Sequence, residues 1–166
     1  MSEKQYNVLV LCTGNSARSI LGEVLFNKLG KGRFIAHSAG SNPVGRVNPY
    51  ALELLQQQGH GIEGLRSKSW DEFAAPGAPQ IDFIFTVCDN AAGETCPIWP
   101  GKPATAHWGI PDPAHVEGGD EAKRAAFRKA YEQLTRRIRL FMSLSIGKLD
   151  KLTTKEKLAE IGRLKD

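Results

Sequence analysis

Cys12 and Arg18 stand in a C-x5-R spacing, with Thr13, Gly14, Asn15, Ser16 and Ala17 between them and Ser19 directly after. Those residue types can do nucleophilic chemistry on an anion. The thiolate is the reactive form of cysteine, and positive potential stabilises it. A guanidinium adds two parallel charge-assisted hydrogen bonds to a tetrahedral oxyanion. Gly14, Asn15 and Ser16 tolerate unusual backbone angles or cap helices, so the loop can turn successive N–H groups inward. At a helix start such groups form an anion cradle. Cys12 at its centre is a nucleophile facing its own substrate, and the Ser19 hydroxyl is placed to donate to the Cys12 sulfur. The plainer alternative is a core cysteine at a strand end. The strand before the loop, the helix after it and Ser19 weigh against that.

Positioning such a loop takes a buried strand, a tight turn and a helix. The apolar run Tyr6 to Leu11 reads as the first strand. The spacing predicts a helix over 16–29, with Ile20, Leu21, Val24, Leu25 and Leu29 inward and Gly30 and Gly32 stopping it. A second strand follows over 33–38. Asn48-Pro49 opens a helix to about Gln58, and Ser69 caps a short helix to Phe73. A third strand, 81–87, ends in Cys88. The segment that follows is polar, rich in turn residues, and holds Cys96. A short fourth strand is expected over 104–108, then a loop with Asp112-Pro113. A long helix from Glu121 to about Leu144 should turn Phe127, Tyr131, Leu134, Ile138 and Phe141 to the core. Strands alternating with helices imply an α/β fold, a parallel sheet covered on both faces. Ligands of such sheets bind beyond the carboxyl ends of the strands, where Cys12, Cys88 and the Asp112 loop all fall.

Residues 1–144 read as a single catalytic domain and 145–166 as a C-terminal extension. There Thr153 and Glu156 have capping-box spacing, and Leu158, Ile161 and Leu164 make a narrow apolar stripe. A short accessory helix is expected, free to pack on the body, pair with another copy or fray.

At 166 residues the chain has room for one sizeable core. Its net charge of +4 suits a small anionic substrate and gives no nucleic-acid footprint. Three cysteines without a C-x-x-C pair favour neither a disulfide scaffold nor a zinc site, and no metal is expected. No apolar run is long enough for a membrane, and no secretory leader precedes the first strand, so a cytoplasmic protein is expected.

The loop from Cys12 to Ser19 and the Asp112-Pro113 pair resemble the low-molecular-weight tyrosine phosphatases. Thr86-Val87-Cys88-Asp89-Asn90, Cys96-Pro97-Ile98-Trp99-Pro100 and His107-Trp108-Gly109 resemble, more specifically, the cytoplasmic arsenate reductases built on that fold and usually coupled to thioredoxin. The resemblance covers about 6–144. It implies a four-stranded parallel sheet and reduction of arsenate to arsenite in arsenic detoxification. It implies roles as well. Cys12 attacks arsenate held by Thr13, Gly14, Asn15, Ser16, Ala17, Arg18 and Ser19, and Asp112 protonates the leaving oxygen. Cys88 then resolves the adduct, and Cys96 carries the disulfide outward to a thioredoxin or glutaredoxin, with no tightly bound cofactor. Some members bind potassium beside the nucleophile loop through oxygens that align with Asn15, Glu23 and Ser38. The remaining ligands fall near Arg66 and Lys68, so the Lys68 ammonium, or Arg66, is expected to replace potassium with Glu23 as partner. The alternative function is phosphotyrosine hydrolysis, which shares Cys12, Arg18 and Asp112. Pro111, Ala114 and His115 flank the Asp112-Pro113 pair, with none of the aromatic residues that hold a phenyl ring there.

Overall fold

The structure, a computed structural model, describes residues 5–87, 103–144 and 151–164. Strands β1 (Tyr6–Cys12), β2 (Phe34–Gly40), β3 (Phe83–Thr86) and β4 (Ala104–His107) form one parallel sheet in the order β2-β1-β3-β4. The helices are α1 (Arg18–Gly30), α2 (Pro49–Gln57), α3 (Asp71–Ala74), α4 (Asp120–Met142) and α5 (Lys151–Gly162), with a 3-10 turn at Pro113–His115.

Alternation along the strands sorts the side chains between the two faces. Val8, Val10, Phe83 and Phe85 enter the larger core with Ile20, Leu25 and Phe26 of α1, Phe127, Ile138 and Phe141 of α4, and Leu158 and Ile161 of α5. Leu9, Leu11 and Ile84 face a smaller cluster with Trp70 and Phe73 at α3. Helices therefore cover both faces, as expected of a parallel sheet. The larger core is held by ring pairs, Phe85 tilted against Trp108 at 4.1 Å and Phe26 stacked on Phe85 at 5.2 Å. Such pairs add about 0.5–1.5 kcal/mol each beyond their buried area. Asn48 caps α2 by accepting from Tyr50 N at 2.8 Å. Among the described residues no helix is long and apolar enough to cross a membrane.

Several boundaries differ from the sequence reading, each for a local reason. Helix α1 begins at Arg18 rather than Ser16, because Asn15 has φ of 47° and Ala17 stands at the N-cap outside helical angles. Phe26, absent from the expected stripe, is buried, whereas Val24 is half-buried. Strand β2 runs on to Gly40, because the segment after α2 pairs with it: Gly40 N donates to Lys68 O and Trp70 N to Gly40 O. Strand β3 is confined to 83–86 and β4 ends before Trp108. Helix α3 starts at Asp71, whose N–H donates to Ser69 Oγ at 3.1 Å, so Ser69 supports the turn before the helix rather than capping it. On α4 the buried face takes in Ala130 and Arg137, while Tyr131 is half-buried. Helix α5 starts at Lys151, which puts Thr153 inside it and removes the capping-box geometry.

Candidate active site

The nucleophile loop leaves the end of β1 and enters α1. Its carbonyls are turned outward: Thr13 O accepts from Asn42 N at 2.9 Å, Gly14 O from Val44 N at 3.0 Å, Ser16 O from Asn48 N at 2.8 Å and Ala17 O from Leu21 N at 2.9 Å. A trans peptide points its N–H opposite to its C=O. The amides of Gly14, Asn15, Ala17 and Arg18 therefore face away from those partners, toward the cavity that residues 12–18 line. This cavity, about 300 Å³, is closed by Val44 on one side and by Asp112, Ala114 and His115 on the other. It holds Cys12, buried at the end of β1, over the N-terminus of α1. Partial positive charge there favours an anion and a thiolate alike.

Asn15 is fully buried in its left-handed conformation, with its side chain turned into the protein. Its Nδ2 donates to Ser19 Oγ at 2.8 Å and its Oδ1 accepts from Lys68 N at 2.9 Å. Ser19 Oγ thus accepts from Asn15 and keeps its own proton for donation. Arg18 Nη1 donates to Ile110 O at 2.7 Å, and its Nη2 lies 3.5 Å from Asp112 Oδ2. Asp112 caps the Pro113–His115 turn, with Oδ1 accepting from Ala114 N at 2.9 Å. That leaves Oδ2 directed at Arg18 and at His115 Nε2, 3.5 Å away.

One row of hydrogen bonds ties the roots of these groups together. Val87 N donates to Leu11 O at 3.0 Å, and Ile110 N donates to Val87 O at 3.0 Å. Leu11 precedes Cys12, Val87 precedes Cys88, and Ile110 stands two residues before Asp112. Cys88 and Cys96 themselves lie outside the described residues.

Two features escaped the sequence reading. Ser67 Oγ donates to Gly14 O at 3.0 Å and accepts from Gly45 N at 3.2 Å, joining the nucleophile loop to its wall. Gly40 lies so close under the loop that a Cβ there would sit 2.4 Å from Thr13 O. Glycine was the only signal at position 40; a serine between two charged residues carries none.

Lys68 and Arg66, the two alternatives expected to replace potassium, separate in the structure. Arg66 is exposed and makes a forked bond to Glu72, at 2.9 and 2.6 Å. Lys68 is buried, its Nζ 3.6 Å from Glu23 Oε1 and 3.1 Å from Arg66 O, to which it donates. Ser38 Oγ donates to the same Glu23 oxygen at 2.9 Å. Burial pulls the Lys68 pKa below that of an ordinary lysine, against the raising effect of Glu23.

A family model for low molecular weight phosphotyrosine protein phosphatases matches residues 7–157. The chain belongs to this family. An arsenate reductase of Halalkalibacterium halodurans is 36% identical over 134 residues, 81% of this chain and 93% of that protein. Among solved structures, an arsenate reductase from Archaeoglobus fulgidus aligns with a TM-score of 0.60 at 28% identity, covering 80% of this chain and 98% of that one. The tyrosine phosphatase Wzb from Escherichia coli K30, in complex with sulphate, aligns with a TM-score of 0.60 at 26% identity, covering 79% and 94%. Both arsenate reductases and tyrosine phosphatases are found on this fold.

Proposed function

We propose that this chain reduces arsenate to arsenite by a three-cysteine relay. Arsenate enters the amide cradle and engages Arg18. The Cys12 thiolate attacks arsenic, and one oxygen leaves as water after Asp112 protonates it through Oδ2. Up to this point a phosphatase does the same on phosphorus. Cys88 Sγ then attacks Cys12 Sγ and a disulfide forms. The S–As bonding pair stays on arsenic, which falls from +5 to +3 and departs as arsenite. Cys96 next attacks Cys88, which frees the Cys12 thiolate and leaves a Cys88–Cys96 disulfide. An external thioredoxin or glutaredoxin supplies the two electrons that reopen it. The relay draws on no resident cofactor, and its reductants place it in the cytoplasm.

The observation that carries this reading is the hydrogen-bond row through Val87. Neighbouring parallel strands lie about 4.8 Å apart, and Val87 donates directly to the residue before Cys12. In the sequence Cys88 directly follows Val87, two residues past the end of the strand that flanks the nucleophile's own. The curated relatives named arsenate reductase point the same way. Among the described residues the mouth is walled by Val44, Ala114 and His115, with no Phe, Tyr or Trp to clamp a phenol.

The test is arsenate-dependent oxidation of NADPH by the purified chain, coupled in parallel to thioredoxin and glutaredoxin systems. Turnover is expected with at least one of them. Cys88→Ser should stop it and leave hydrolysis of a phosphomonoester intact. Full arsenate turnover by Cys88→Ser would rule out the relay.

A further inference from the structure

Helix α5 is docked, and its docking converges on the strand that leads to the acid. Trp108, fully buried just beyond β4, donates from Nε1 to Leu158 O at 2.9 Å, in the middle of α5. Gly162 lies against the end of β4 so closely that a Cβ would stand 2.4 Å from His107 O and 2.8 Å from Trp108 Cδ1. From α4, the buried Arg137 donates Nη2 to Leu164 O at 2.9 Å and secures the far end. Leu158 and Ile161 fill the remaining contact. The other side of the junction is equally fixed. Trp108 N donates to Thr86 O at 2.7 Å, and Ile110 N to Val87 O at 3.0 Å. The Asp112 turn is then steadied by Lys123, whose Nζ donates to Ala114 O at 3.3 Å and Val116 O at 3.0 Å.

We propose that α5 is a strut for the general acid. By clamping Trp108 and the His107 carbonyl, it sets the height at which the chain leaves the sheet, and thereby where Asp112 Oδ2 stands over the cradle. Trp108 and Gly162 are positioning residues; neither lines the cavity. Cys12 and its loop hang from β1 and α1, and the clamp meets them through the Ile110 carbonyl that holds Arg18. The strut governs the step that needs a proton on the leaving oxygen, while Cys12 itself stays at the end of β1.

The inference rests on the reading of Asp112 as the acid given above, and it is tested so that the two fail separately. The variants are Gly162→Val, which drives a branched side chain into the contact, and Trp108→Phe, which keeps an apolar ring and removes the Nε1 donor. Should Gly162→Val not fold, Trp108→Phe carries the same expectation. Glu160→Gln, on the exposed side of α5, is the control. A misplacement of about 1 Å costs on the order of a hundredfold in rate, so a partial loosening should cost about tenfold. That loss is expected in arsenate turnover and in hydrolysis of phenyl phosphate, whose leaving group needs a proton. Hydrolysis of 2,4-dinitrophenyl phosphate, whose leaving group does not, and alkylation of Cys12 by iodoacetamide should stay within about twofold. Absence of arsenate turnover in the unaltered chain, with the split between the two esters present in the variants, would remove the reductase and keep the strut. A purely structural helix would lower Tm and leave the ester ratio as it was. That result, or equal loss on both esters, would overturn the strut.

Discussion

Replacing Lys68 by alanine should unbalance the charge packed beneath the nucleophile loop. The Lys68 Nζ and Glu23 Oε1 lie 3.6 Å apart, with side chains 8% and 14% exposed. At an effective dielectric of about 20, unit charges at that separation attract by about 4–5 kcal/mol. Desolvation cancels much of that gain while the pair is intact. Removing one partner keeps the desolvation cost and loses the attraction, which in buried pairs amounts to about 3–5 kcal/mol. Some solvent contact remains here, so the lower end, about 3 kcal/mol, is the expected loss. In a chain of 166 residues this corresponds to about 6–12 °C in Tm. The backbone bond from Lys68 N to Asn15 Oδ1 survives the substitution, so the loss isolates the ammonium.

The same substitution tests whether the ammonium replaces a bound monovalent cation. In the unaltered chain Nζ occupies the space between the Glu23 carboxylate and the Arg66 carbonyl. Thermal melts in matched potassium and sodium chloride should then coincide, and arsenate turnover should not distinguish the two salts. In Lys68→Ala the emptied site keeps its oxygens, and potassium should recover part of the lost Tm by mass action. If potassium raised the Tm or activity of the unaltered chain beyond sodium, the ammonium would not be filling a cation's place. A loss below about 1 kcal/mol in Lys68→Ala would show the pair to behave as a solvated one.

Three further outcomes are expected. Gly40→Ala would set a Cβ 2.4 Å from Thr13 O and 2.9 Å from Cys12 O; a loss of about 1–3 kcal/mol in urea denaturation and weaker phosphate binding by calorimetry should follow together. Asp112→Asn should lower arsenate turnover about 10²–10⁴-fold in the coupled assay, with Cys12 alkylation unchanged. Burial holds the His37 pKa below the usual histidine value, Lys68 reinforcing this and Glu23 opposing it. The unfolded chain therefore takes up its proton first as pH falls through about 6.5. Urea denaturation from pH 7 to 5 should show stability falling with pH, and His37→Gln should flatten the slope. His60, also lowered by burial, acts in the same direction and provides the comparison.

What the sequence disclosed followed from period and punctuation. Buried parallel strands read as unbroken apolar runs, and Val8 to Leu11 is one. Asn48-Pro49 announces a helix start because each residue has a local job there, an acceptor for Tyr50 N and a preset φ. The misplaced start of α1 shows the limit of that method. Ser16 and Ala17 have the composition of a first helical turn, yet three carbonyls of the loop are drawn outward by residues 42 to 48. Tertiary partners, invisible in a local window, hold the loop open.

The same distinction explains which parts of the site could be read. Cys12, Arg18 and Asp112 are chemical types that declare themselves. Their support does not: Ser67, the Lys68 backbone and the Ile110 carbonyl act through position alone, at sequence separations of 53 and 92 residues. The cradle, the arginine and the acid serve any tetrahedral oxyanion, so they cannot decide between water and a thiol as the second nucleophile. On the reading proposed above, that choice rests with whatever β3 delivers at its carboxyl end. Val87 is locked between Leu11 and Ile110, and Cys88, the second nucleophile on that reading, directly follows it in the sequence. On the same reading, a thiol in place of water as the second nucleophile is what turns a hydrolytic site toward reduction.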